Sequence, residues 1–414
     1  MTPAAPLSCA IKDVASAQKT TFATTQAVWR FLNNDRVTFS QLNQPLIELA
    51  RNGIAPSPHS YALVVHDWSR LQFHSHHKKR NRLKMTHSAD VGYELQSSLL
   101  VDAASGLPVA PLAQTLTDSK GCRSTLTDGL SGSQTHMDAL TADITRVEAL
   151  DIGKTLVHLI DREGDSVAHM RALSAQGLYW LIRGKEGHQV TYQGCSHKVG
   201  AVADNLVFGT SRQIDYKGKK ACLSVGEAPV ALTRAAKPKR TDRKTGRRVK
   251  VQAGPPLPVR LVVARLSDSE GRELGRWTLL TNVEDNISGD EIAQWYYWRW
   301  SIESFFKLIK GAGHDVESWL QRSADAVLRR LLIAGMACVL AWRLQRASDE
   351  ENVRARRLMC RLSGRQQKRG RLESAPAILA GLSVLLNTLT LLLEYTPEEL
   401  TRLATTVLGQ FENV

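Results

Sequence analysis

An α/β fold is predicted by three features of the 414-residue sequence: short β-branched runs with the profile of buried strands, amphipathic segments alternating with them, and a dense set of β-type segments between residues 184 and 285. Tyr61–Val65 is the first buried-strand run, ending on His66-Asp67, and Tyr93–Val101 and Leu107–Leu112 follow it across the turn-prone Ala103–Gly106. Thr135–Leu150 reads as a helix, Thr155–Ile160 as a strand ending on Asp161, Ser166–Ala175 as a second helix, and Leu178–Ile182 as a strand ending on Arg183. Three strands, helix, strand, helix, strand is the order of a ribonuclease-H-like sheet, an antiparallel meander followed by crossover units.

Around that core the chain divides into five stretches. Residues 1–56 are a helical N-terminal module, with Thr25–Leu32 and Leu42–Arg51 at helical spacing and a break at Ala55–Pro58. The module reads either as a packing appendage or as an auxiliary DNA-binding unit. Residues 57–183 form the first part of the core, 184–285 an inserted β domain, 286–345 the second part of the core, and 346–414 a helical C-terminal region. In the last stretch Ala377–Glu394 and Pro397–Phe411 form a helical pair whose leucine density suggests dimerisation. Pro376–Leu393 is long and apolar, but Ser383, Asn387, Thr388 and Thr390 favour a buried helix over a membrane span.

Composition narrows the function. A net charge of +14 steers polyanions towards the chain. Lys237–Lys250 holds eight basic residues and one acid, and Lys78–Lys84 is a second basic cluster; each is either a solvated loop or a phosphate-contacting arm. Cys9, Cys122, Cys195, Cys222, Cys338 and Cys360 form no C-x-x-C pair, which argues against a zinc site or a disulfide framework and fits a reducing cytoplasm. His74-Ser-His-His77 opens a basic run and reads as solvated loop.

Tyr296–Lys310 carries the chemistry. Read as one helix, Tyr296, Arg299, Glu303 and Lys310 fall on one face within roughly 60° of arc. Asp67 and Asp161 each stand where a strand ends, the usual place for sites in open α/β sheets. Three carboxylates without thiolate or imidazole favour a hard cation, Mg2+ or Mn2+, and a pair of such ions suits phosphoryl chemistry. Asp67, Asp161 and Glu303 would hold the metal, while Arg299 and Lys310 would grip phosphates.

With these residues in place the sequence resembles the insertion-sequence-4 family of DDE transposases, which includes the transposon-5 transposase. Tyr296, Arg299, Glu303 and Lys310 meet the family signature Y-x2-R-x3-E-x6-K, Asp161-Arg-Glu-Gly-Asp165 is similar to its second acidic motif, and a β insertion precedes the glutamate. The resemblance implies cut-and-paste transposition: nicking at terminal inverted repeats, a hairpin intermediate, and strand transfer into target DNA by a homodimeric synaptic complex. It also implies that Trp277 stacks on a flipped base and that Arg183 lies near the terminal nucleotides; the alternative for Trp277 is a strand tryptophan in the insertion's own core. A nuclease of the same fold, an inactive DNA-binding remnant and a protein that binds anionic membranes are the alternatives.

Overall fold

The computed structural model describes residues 21–132, 135–209, 212–216, 219–236, 249, 254–312, 314–366 and 371–408. The first twenty residues and, Val249 apart, the basic run 237–250 lie outside the described residues.

The described chain opens with α1 (Thr21–Leu32) and α2 (Phe39–Ile54), the second started by Thr38, whose side chain accepts from the Gln41 amide. The meander follows as β1 (Tyr61–Gln72), β2 (Leu83–Lys84), β3 (Val91–Asp102), β4 (Pro108–Asp118) and β5 (Gly121–Ser124). Then come α3 (His136–Glu148), β6 (Thr155–Ile160), α4 (Val167–Ala175) and β7 (Tyr179–Arg183), in the expected order. The next stretch supplies β8 (Gln189–Tyr192), β9 (Cys195–Lys198), α5 (Val199–Asp204), β10 (Arg212–Tyr216), β11 (Lys219–Leu232), β12 (Leu257–Ser267) and β13 (Glu273–Thr281). Six helices complete the described chain: α6 (Gly289–Trp298), α7 (Trp300–Lys307), α8 (Ala324–Arg346), α9 (Glu350–Leu362), α10 (Ala375–Leu392) and α11 (Pro397–Leu408).

Among the described residues all strands join one 13-stranded sheet, in the main order β5-β4-β3-β1-β6-β7-β13-β12-β11-β8-β9. β1, β6 and β7 run parallel at its centre, and the meander flanks them antiparallel on one side. On the other side β13 pairs antiparallel with β7, so the strands of 184–285 continue the same sheet. The chain is thus a mixed α/β protein, in keeping with a ribonuclease-H-like fold.

Alternation along the strands sends side chains to two apolar layers. Val65, Leu159, Leu181 and Val262 face a cluster shared with α2, α6, α7 and α8, whereas Ile160, Trp180, Ile182 and Val263 face a cluster shared with α3 and α4. α8 is buried along most of its length, as its apolar sequence predicts, and packs on β4. Gly106 (φ 72°) closes the β3–β4 turn, and a Cβ there would lie 2.4 Å from the Trp298 ring, so the missing side chain lets α6 and α7 sit down against the sheet.

Two expectations need correction. α10 buries only Ala375, Ala377, Ile378, Leu379 and Gly381, in its first half; Val384, Leu389, Leu391 and Leu392 are exposed. Of the polar residues expected to mark a buried helix, Ser383 and Asn387 are half-buried and Thr388 is exposed. Among the described residues α10 is the one helix long and apolar enough to cross a membrane. The segment around Glu303 is also not one uniform helix. It breaks at Arg299, where Arg299 N donates to Tyr296 O and Ile302 N to Arg299 O, and widens to a π turn over Leu308–Ala312.

Candidate active site

Strand register assembles the acidic half of the site. β1 pairs with β6 up to His66 opposite Ile160, and β6 pairs with β7 up to Ile160 opposite Ile182. The next residue on each strand is Asp67, Asp161 and Arg183, so these three stand side by side. They face the layer that contains α6 and α7, because side chains two residues earlier, Val65, Leu159 and Leu181, do so. β1 itself continues through Asp67 to Gln72, paired only with β3 there, which differs from the expected strand end at Val65. The parallel pairing stops where the site begins, although the strand does not.

Both aspartates are oriented by backbone amides. Asp67 Oδ1 accepts from Trp68 N at 2.8 Å, and Asp161 Oδ1 accepts from Glu163 N at 2.8 Å, capping the 3-10 turn Arg162–Gly164. Asp165 pins the far end of that turn. Its fully buried carboxylate accepts from Lys185 N at 2.6 Å, lies 2.7 Å from His188 Nδ1, and pairs with Arg234. The loop carrying Asp161 is therefore tied to the strands beyond β7.

α6 and α7 bring the remaining groups. The Arg299 guanidinium forks between two carboxylates, Nη1 to Asp67 Oδ2 at 2.8 Å and Nη2 to Glu303 Oε1 at 3.1 Å. Burial opposes the Arg299 charge, but Tyr296, Asp67 and Asp161 around it raise its pKa. Tyr296 is buried under the same cluster, and burial raises the pKa of its phenol against the pull of Arg299 and Arg183. It therefore stays a neutral hydrogen-bonding group. Burial likewise raises Asp67 above the usual carboxylate range; Asp161 adds to the rise, and Arg299 only partly offsets it.

These features fit a hard divalent cation. Asp67, Asp161 and Glu303 offer oxygen donors only, and ionised Asp67 is under-compensated even with Arg299 beside it. Among the described residues no three His, Cys, Asp or Glu side chains already form a metal cage. Arg299 links Asp67 to Glu303 in its place, so taking up a metal requires that fork to yield.

The other expected site residues divide. Arg183 joins the cluster through Tyr296 and also donates from Nη2 to Arg276 O at 3.2 Å. Lys310 lies on the π turn Leu308–Ala312 that continues the helix carrying Glu303. Like Arg299, it reaches β1: its Nζ donates to Arg70 O at 2.7 Å and lies 3.2 Å from Glu317. Trp277 offers no free ring face for a base: it is 6% exposed and packs against Tyr216, Tyr296 and Tyr297 with ring centroids 5.8–6.3 Å apart. Its place is the support of Tyr296 from beneath. Trp277→Ala is accordingly expected to cost about 3–5 kcal/mol of stability, read by urea unfolding, as for any buried tryptophan. A change under 1 kcal/mol would return Trp277 to the surface role.

Sequence reasoning passed over two supports. Asp165 stands in the quoted motif Asp161–Asp165, but its role depends on Lys185, His188 and Arg234, which no local pattern joins to it. Beneath the strand ends a buried chain of hydrogen bonds runs from Ser98 Oγ to His66 Nδ1, from His66 Nε2 to His158 Nδ1 (2.8 Å), and from His158 Nε2 to Glu148 (2.8 Å). It fastens β1 to β6 directly under Asp67 and Asp161. Histidine at both interior strand positions was the available signal.

A family model described as the transposase DDE domain matches residues 58–340, a span that holds Asp67, Asp161, Arg183, Tyr296, Arg299, Glu303 and Lys310. No curated protein sequence matches the chain.

Proposed function

The chain belongs to the transposases with a DDE domain, and from that premise we propose that it is a cut-and-paste DNA transposase of the insertion-sequence-4 type, with Asp67, Asp161 and Glu303 as its catalytic acids. The observation that carries this reading is the Arg299 fork between Asp67 and Glu303, set beside Asp161 at the ends of the central parallel strands. Double-stranded DNA is the substrate, first at the terminal inverted repeats and then at the target, and the working form in the synaptic complex is a homodimer.

Asp67, Asp161 and Glu303 would hold one or two Mg2+ or Mn2+ ions. Such ions, when bound, activate water or a 3′-hydroxyl and stabilise the leaving oxygen of a phosphodiester. The chain's own residues do the rest. Arg299, released from its carboxylates, presents a planar fork to a phosphate at the scissile position. Tyr296, buried and kept neutral, supports Arg299 and Arg183 from beneath, and Arg183 faces the neighbouring nucleotide. Lys310, a point charge now held by Glu317 and a carbonyl, exchanges those partners for a phosphate. The turn capped by Asp161 and pinned through Asp165 holds its carboxylate in place while DNA enters.

The test is a gel assay with a duplex carrying the inverted repeats that bracket the reading frame, in Mg2+. A nick, then a hairpin, then joined products are expected. Nicks without hairpins or joined products would instead make the protein a nuclease.

A further inference from the structure

We propose that the loop after β1, together with the segment preceding α8, forms a preformed seat for duplex DNA beside the cleavage site, contacting phosphates about half a helical turn from the scissile bond. This rests on the reading of the chain as a DNA-cleaving transposase.

The loop's cations fall into two groups. Lys79 and Arg82 are used up inside the protein. Lys79 Nζ donates to Trp319 O and Gln321 O, each at 2.7 Å, and lies 4.0 Å from the centre of the Phe73 ring, while Arg82 Nη1 donates to Phe73 O at 2.8 Å. Two further bonds fix the backbone, Tyr93 Oη to Arg80 O at 2.6 Å and Arg80 N to Arg322 O at 2.8 Å. On this pinned frame Lys78, Arg80, Lys84 and Arg322 are exposed, and among the described residues no carboxylate lies within ion-pair distance of any of them. Arg70 and Lys310 nearby are, by contrast, paired with Asp90 and Glu317. Holding unpaired like charges on an ordered frame is unfavourable by itself and becomes favourable against a polyanion.

Shape and position select a duplex. Ser75–Lys79, Leu320 and Arg322 line a concavity of about 490 Å3, and Leu320, 80% exposed, stands among the cations as an apolar contact for sugars. The frame is joined to the site through β1: Gln72 N donates to Glu317 Oε1 at 2.8 Å, and Lys310 bridges Arg70 O and Glu317. Asp67 to Gln72 along a strand spans about 17 Å, which is about five base pairs of B-form DNA. DNA with its scissile phosphate at Asp67 therefore passes the loop with its backbone in reach.

The test measures binding of the full chain to a 30-base-pair duplex against salt, without metal, by fluorescence anisotropy. The triple variant Lys78→Gln, Arg80→Gln, Arg322→Gln is expected to reduce the slope of log K on log salt by about 2.7, as for three lost phosphate contacts. Arg354→Gln, Arg357→Gln, Arg361→Gln on the exposed face of α9 removes the same charge and is expected to leave the slope nearly unchanged. Equal losses in the two variants, or none in the first, overturn the proposal, as does a loop variant that loses only binding to phosphatidylserine vesicles. Because metal is absent, failure here is distinct from failure of the catalytic reading, which rests on cleavage by Asp161 and Glu303 variants.

Discussion

Asp161→Asn and Glu303→Gln are each expected to lose about a thousandfold or more of Mg2+-dependent cleavage while duplex affinity stays within about threefold, because on the proposed reading each deletes a charge that would hold the metal and contribute several kcal/mol to the transition state. The aspartate is oriented by Glu163 N and the glutamate by Arg299, so both side chains are placed by contacts that the amide variants retain in part. Cleavage is read on a labelled duplex and affinity by anisotropy. Loss of affinity alongside cleavage, with a lowered Tm, would make these acids structural.

The second large effect falls on Arg299. In Arg299→Met, Asp67 and Glu303 face each other and Asp161 without the cation they share. The pairs are partly buried, so the metal-free variant is expected to lose about 2–4 kcal/mol. Millimolar Mg2+ should then raise its Tm more than that of the wild type, since a divalent ion takes over the charge balance that arginine supplied. An unchanged Tm without metal, or an equal gain in both proteins, would mean that the fork is incidental. The fork gives the reason an arginine stands there: it holds Asp67 and Glu303 together beside Asp161, and on the proposed reading it yields to metal and DNA.

Much of this was legible from local pattern. The β-branched runs gave the strand order, and the Tyr296–Lys310 spacing marked the helix that carries Glu303, because periodicity and strand propensity are properties of neighbouring residues. What resisted reading was long-range. The bond from Arg299 to Asp67 joins residues 232 positions apart, and nothing in either segment announces the other. The alignment of Asp67, Asp161 and Arg183 follows from register between three strands, which a sequence does not display. Periodicity also reads one uniform helix where the backbone tightens at Arg299 and widens at Leu308–Ala312. Trp277 shows the limit of matching a residue to a role: its ring is claimed by Tyr296 and Tyr297 inside the fold. α10 shows a related limit, since leucine density tells that a surface seeks cover and not whether its own chain provides it.

The central claim is that Asp67, Asp161 and Glu303 converge on one divalent-metal site, and Fe2+ substitution tests it most directly. With Fe2+, ascorbate and peroxide, the full chain is expected to break near residues 67, 161 and 303 together, with excess Mg2+ suppressing all three cuts in parallel. Cuts at other positions, or cuts at these positions that Mg2+ leaves untouched, would contradict the account.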